Sequence, residues 1–165
     1  MVMTKTELID ALQHEIRVLL HLTSKIDRTK LDYRPTPKQR STIELLKYLS
    51  LMGPEMIHSV KKGRFDVEHW VAAGKTADGY SYDQTMETIA QQDYGKLLAD
   101  VSEADLRREI EMFGNKSSVG AFLVTTVLCG YAAYRTQLFN YLKACGREEL
   151  TTSNLWRGAD PVATP

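Results

Sequence analysis

The stretch LCGYAAYRTQLFNYLKACG, Leu128 to Gly146, reads as a single helix that stops at a glycine. Glycine just past a helix supplies the left-handed residue that ends it. Gly130 and Tyr134 lie four residues apart, so they share one helix face. In a helical bundle, an inward pair at this spacing is where two metal-binding histidines would stand. Here one position has no side chain and the other carries a phenol. The face is either an emptied metal site or one that never held a metal.

Working outward from that stretch, Ser117 or Ser118 is the natural cap of the same helix, which runs to about Cys145. At the other end of the chain, Thr4 and Glu7 form a capping box. Ile9, Leu12, Ile16, Leu19, Leu20, Thr23 and Ile26 then recur at three- and four-residue steps, predicting a helix over about 5–28. Pro35 and Pro37 keep the next segment extended. Ser41 and Glu44 form a second capping box, opening a helix through Leu46, Leu49, Met52, Met56 and Val60, with a kink expected at Pro54. Between Gly63 and Tyr82 the periodicity is lost, and a long connection is expected. A third helix begins near Ser81 or Asp83 and extends through Leu97 and Leu98 to Val101. SEADL, from Ser102, looks like a short capped turn, and REIEMFG alternates charged and apolar residues as a short strand does. The tail after Gly146 is polar apart from Leu155 and Trp156 and is expected to dock on the bundle.

Four amphipathic helices with long connections predict an all-α four-helix bundle, a single domain over 1–165. Lysine plus arginine and aspartate plus glutamate balance at 21 each. This balance leaves no basic footprint for nucleic acid or an anionic membrane. The KKGR run at Lys61–Arg64 suits a solvated helix end. The longest apolar run, VGAFLVTTVLCGYAAY, is broken by threonines and glycines, so no membrane span is expected. Cys129 and Cys145, on one helix, lie roughly 24 Å apart at 1.5 Å per residue and cannot bridge. With no disulfide framework and no signal-peptide pattern, a cytoplasmic location is expected.

RPTPKQRSTIELLKYLS followed by YAAYRTQLFNYLKACG resembles the DinB-like superfamily over nearly the whole chain, in order. Arg135, Gln137, Tyr141, Leu142 and Gly146 fall in register with the family's last helix. The resemblance implies a bundle with up-down-down-up topology and a homodimer. It also implies a divalent ion held by three histidines, at the positions occupied here by Tyr48, Gly130 and Tyr134. None is histidine, and the family's glycine before the glutamine is Thr136.

No other trio replaces them. His14 and His21 are about 10 Å apart along their helix, His58 is nearly three turns from Tyr48, and His69 falls in the expected connection. No metal and no cofactor are therefore expected. Tyr48 and Tyr134 read as facing phenols that fill space or hydrogen-bond a ligand, since tyrosine titrates near pH 10 and is a poor general base. Tyr131, Arg135 and Trp70 are candidates for the pocket lining. Cys129 reads as a buried small apolar residue. No Gly-rich phosphate loop or nucleophile elbow is present. The leading expectation is a DinB-like protein without its metal, serving as a small-molecule-binding or interaction module. The alternative is a metal- or thiol-dependent transferase or isomerase working through atypical residues.

Overall fold

The computed structural model describes residues 3–162. The outermost residues of the expected domain and tail, 1–2 and 163–165, lie outside the described residues.

Helix α1 spans Lys5–Thr23 and opens on the Thr4–Glu7 capping box. It ends a turn earlier than the apolar stripe predicts. The Thr23 and Ser24 hydroxyls bond back to the carbonyls of Leu20 and His21, at 2.8 and 2.6 Å. Such side chains compete with the helical ladder and favour its end. Helix α2 spans Thr42–Lys62, capped by Ser41 and Glu44 and closed by Gly63 in the left-handed region at φ 78°.

The helical ladder of α2 continues through Pro54. Proline has no N–H for the Ser50 carbonyl four residues back. The buried Gln92 side chain supplies the missing donor: its Nε2 reaches Ser50 O at 3.1 Å and Leu49 O at 3.0 Å.

Gly63–Tyr82 is not the structureless connection expected from its aperiodic sequence. It contains helix α3, Val67–Asp78, capped by Asp66. Only one α3 residue, Ala77, is fully buried, so no apolar stripe marks it. The third expected helix is broken. Helix α4 covers Tyr82–Ala90, and a separate turn, α5, covers Tyr94–Leu97 with Asp93 as its cap. The break lets Gln92 turn inward to α2.

Helix α6, Glu103–Arg107, and strand β1, Glu109–Met112, form where the alternating pattern places a capped turn and a strand. Strand β2, Asn115–Ser118, is not foreshadowed by the sequence; it pairs antiparallel with β1 through a two-residue turn. Phe113 and Gly114 both have positive φ, 54° and 74°, which is the geometry that joins twisted strands tightly. Ser118 caps α7, Val119–Phe122, which runs on through a π-helical segment, Leu123–Leu128, into α8, Cys129–Ala144.

Side-chain pairs give the directions. Glu15 of α1 meets Arg135 of α8, and Leu8 shares a cavity wall with Ala121 and Val124. The first and last helices therefore run the same way. Tyr48 and Met52 of α2 meet Tyr134 and Gly130 in reverse order. Between Asp83 and Asp100 the chain follows α2 from its start to its end, through Gln92 at Leu49 and Asp100 at Lys61. The result is up-down-down-up. Two consecutive helices in the same direction need a return path, and α3 is that path. It runs back along α2, from His69 at Glu55 to the Asp78 carbonyl at Lys47 Nζ, 2.6 Å.

The tail folds into α9, Thr152–Arg157. His14 Nε2 lies 2.9 Å from the Trp156 carbonyl, and a Cβ on Gly158 would sit 2.9 Å from the Val18 Cα. Leu12, Leu45, Leu46, Ile89, Val127 and Leu138 are fully buried between the four long segments. Among the described residues, no helix is long and apolar enough to cross a membrane.

Candidate functional site

Tyr48 and Tyr134 face each other between α2 and α8. Their ring centroids are 5.0 Å apart and the rings meet edge to face at 67°. The third position differs in kind. A Cβ on Gly130 would lie 2.9 Å from Met52 Sδ and 3.4 Å from its Cε. The space that a side chain at 130 would use is taken by the thioether of a residue that is 2% exposed.

This arrangement does not fit a divalent metal. Gly130 offers no donor. Burial, then Tyr134 beside it, pushes the Tyr48 hydroxyl up to about 12, which disfavours the phenolate a metal would need. Among the described residues, no three His, Cys, Asp or Glu side chains are grouped so as to hold an ion. The histidines are engaged separately. His21 lies 3.1 Å from the Asn154 amide nitrogen, and its pKa is lowered, first by burial. His58 and His69 stack at 4.1 Å, His58 facing Asp66 at 3.1 Å and His69 facing Glu55 at 2.5 Å.

A cavity of about 430 Å³ opens beside Tyr48. Trp70 forms one wall, its ring centroid 6.1 Å from that of Tyr48. The Arg40 guanidinium lies 4.0 Å over the Tyr48 ring. Lys38 and Lys47 stand around the same space, with Arg34 paired to Glu44 at 3.1 Å. The aromatic wall continues outward from Trp70 to Phe65 and the exposed Phe113, with centroids 5.5 and 5.1 Å apart. Helix α3, which the sequence conceals, thus carries the Trp70 side of the cavity.

Of the three candidates for the lining, Trp70 is there and the others are elsewhere. Tyr131 is 1% exposed. Its hydroxyl is shared with Tyr94, at 2.7 Å, and with the side-chain oxygen of Gln92. Burial raises the pKa of both phenols. Gly53 lets them in: a Cβ there would lie 2.9 Å from Tyr131 Cε2 and would collide with both hydroxyls. Arg135 turns away toward α1, where it forms a buried pair with Glu15, Nε to Oε2 3.2 Å, under the Trp156 ring at 4.9 Å. Cys129 is exposed, not buried as expected, because its position on α8 faces outward while Tyr131 takes the core side. Gln92, Gly53 and Glu15 carry these networks without standing out in the sequence. The one available signal was the Gly53-Pro54 pair inside a strong helix, where another group must approach and satisfy the backbone.

No protein-family model and no curated protein matches the chain. Among solved structures, it is similar to a DinB-like protein, YjoA, from Bacillus subtilis. The TM-score is 0.67 at 20% identity, over 87% of this chain and 94% of that one. The chain has the DinB-like fold. The up-down-down-up order agrees with that likeness, and at this identity the likeness concerns the fold alone.

Proposed function

We propose that this protein uses the DinB-like scaffold as a metal-free binding module for small anions with a flat apolar part. The observation that carries the reading is the cavity beside Tyr48, where Trp70 and Tyr48 offer ring surfaces and Arg34, Lys38, Arg40 and Lys47 outnumber Glu44 and Asp78. Aromatic walls with a few placed cations suit such a ligand. The protonated Tyr48 hydroxyl serves as a hydrogen-bond partner and not as a base, which favours binding over proton abstraction.

Trp70 is a built-in reporter once the other tryptophan is removed by Trp156→Phe. Benzoate is expected to quench its fluorescence saturably, and benzamide, the neutral analogue, about tenfold less strongly. Arg40→Ala should weaken benzoate by a similar factor. Equal binding of benzoate and benzamide, or no quenching by benzoate up to about 10 mM, defeats the reading.

The absence of a metal is tested in two steps. Protein purified without a metal-affinity step is expected to carry no stoichiometric zinc, nickel or iron, and finding one sinks the proposal. Introducing Tyr48→His, Gly130→His and Tyr134→His brings three imidazoles together, but the ring placed by Gly130→His meets Met52. Adding Met52→Ala removes that obstacle. The quadruple variant is expected to bind zinc and melt higher with it than without it; the triple variant should bind more weakly. A folded quadruple variant that binds no zinc in calorimetry excludes an emptied site.

A further inference from the structure

A second cavity, of about 450 Å³, lies between the start of α1, α6 and the first turns of the last helix. It shares no lining residue with the cavity beside Tyr48. Its wall is apolar, formed chiefly by Leu8, Leu106, Ala121 and Val124. Ligand sites are typically roughly 300–1,000 Å³ and mostly apolar, with a few polar groups that fix orientation.

An independent feature marks the same place. Val124 and Thr125, which line the cavity, belong to the π-helical segment Leu123–Leu128. There the Cys129 N–H bonds to the Val124 carbonyl five residues back. The Thr125 and Thr126 hydroxyls take the carbonyls of Ala121 and Phe122, at 2.9 and 2.5 Å. A π turn widens the helix, re-aims its side chains and recurs where helices line functional sites. The wall opposite is held close: a Cβ on Gly120 would lie 3.2 Å from the Leu106 carbonyl.

The charge of the lining points to the occupant. Glu103 and Arg107 stand four residues apart on α6, one of each sign, and among the described residues no other lining residue is charged. Glu103 already accepts the Lys5 backbone N–H at 2.7 Å. Opposite charges that balance one another favour no net charge on the ligand. We infer that this cavity binds a neutral lipophile with one hydrogen-bonding head, its chain or ring against Leu8, Leu106, Ala121 and Val124 and its head among the polar groups of the lining. The inference does not depend on the Tyr48 cavity.

The test is a methyl-detected NMR titration of the whole chain with 1-octanol, and with octanoate and octylammonium as charged counterparts. Octanol is expected to shift the methyls of Leu8, Leu106, Ala121 and Val124 saturably, and each charged analogue to bind about tenfold more weakly. Val124→Trp should fill the space and abolish these shifts; Ala121→Leu should weaken them if the tryptophan variant does not fold. Three results overturn the inference. One is the absence of saturable shifts up to the solubility of octanol. Another is equal binding of the charged analogues. The last is a set of shifts at these methyls that follows protein concentration without octanol, which assigns the surface to a second copy of the chain.

Discussion

Gly53→Ala is expected to destabilise the fold by roughly 3–4 kcal/mol, far more than a glycine-to-alanine change in a helix normally does. On propensity alone, alanine in the middle of α2 should help by about 1 kcal/mol. Packing reverses the sign. The new methyl would occupy the ground where the Tyr94 and Tyr131 hydroxyls meet over α2, and it would lie 2.9 Å from Tyr131 Cε2 even before the hydroxyls are considered. Moving the phenols aside breaks the 2.7 Å bond between them. It also disturbs Gln92, whose amide reaches the Leu49 carbonyl and the Ser50 carbonyl that Pro54 leaves without a helical donor. Overpacking contributes about 1–3 kcal/mol, and an unsatisfied buried polar group a similar amount. For a chain of this length that corresponds to a melting point lower by about 10 °C. The urea midpoint should fall with the slope unchanged. Tyr131→Phe, which deletes one hydroxyl and adds nothing, should cost only about 1 kcal/mol. If Gly53→Ala is neutral or stabilising, the close approach at this glycine is not a feature of the protein.

The difference between what was legible in the sequence and what was not follows from the kind of signal each element sends. Capping boxes at Thr4 and Ser41 marked the starts of α1 and α2, and the Ser102 cap that of α6, because a cap is local and uses particular residue types, whereas the start of α4 was placed only near Ser81 or Asp83. The pairing of Tyr48 with Tyr134 followed from the resemblance to the DinB-like superfamily, which implies that these two positions share one site. Helix α3 was invisible because it lies on the outside of the bundle with only Ala77 fully buried, and so has no stripe to read. Strand β2 was invisible because a four-residue strand with pattern Asn-Lys-Ser-Ser has no apolar alternation. The two networks were hidden for another reason. Gln92, Tyr131, Glu15 and Arg135 are ordinary polar and aromatic residues, and Gln92 meets Tyr131 across 39 positions as Glu15 meets Arg135 across 120. Periodicity carries no information about such pairs. The occupation of the Gly130 space by Met52 depends on one side-chain conformation in a neighbouring helix.

The buried pair of Glu15 and Arg135 should produce the other large effect. Both side chains are almost fully enclosed, 8% and 5% exposed, and Arg135 Nε and Nη1 find no hydrogen-bond partner among the described residues. Attraction at 3.2 Å compensates for lost hydration only while both members are present. Arg135→Leu therefore strands a carboxylate and is expected to cost about 3–5 kcal/mol near neutral pH. The double variant Glu15→Leu/Arg135→Met removes both charges and should fall within about 1 kcal/mol of the parent or exceed it. The pH dependence separates this cause from lost packing. Burial raises the pKa of Glu15, against the lowering influence of Arg135. In Arg135→Leu that opposing influence is gone, so the folded-state value rises further above the ordinary 4.5. Between those two values the folded chain holds more protons than the unfolded one, so stability falls as pH rises through that window. Urea denaturation of Arg135→Leu should accordingly recover part of its deficit as the pH is lowered from about 7 to about 5, while Glu15→Gln/Arg135→Leu, which cannot ionise at position 15, should show no such recovery relative to the parent. A deficit that is independent of pH in both variants would assign the loss to the contact of Arg135 with Trp156 instead of to the stranded charge.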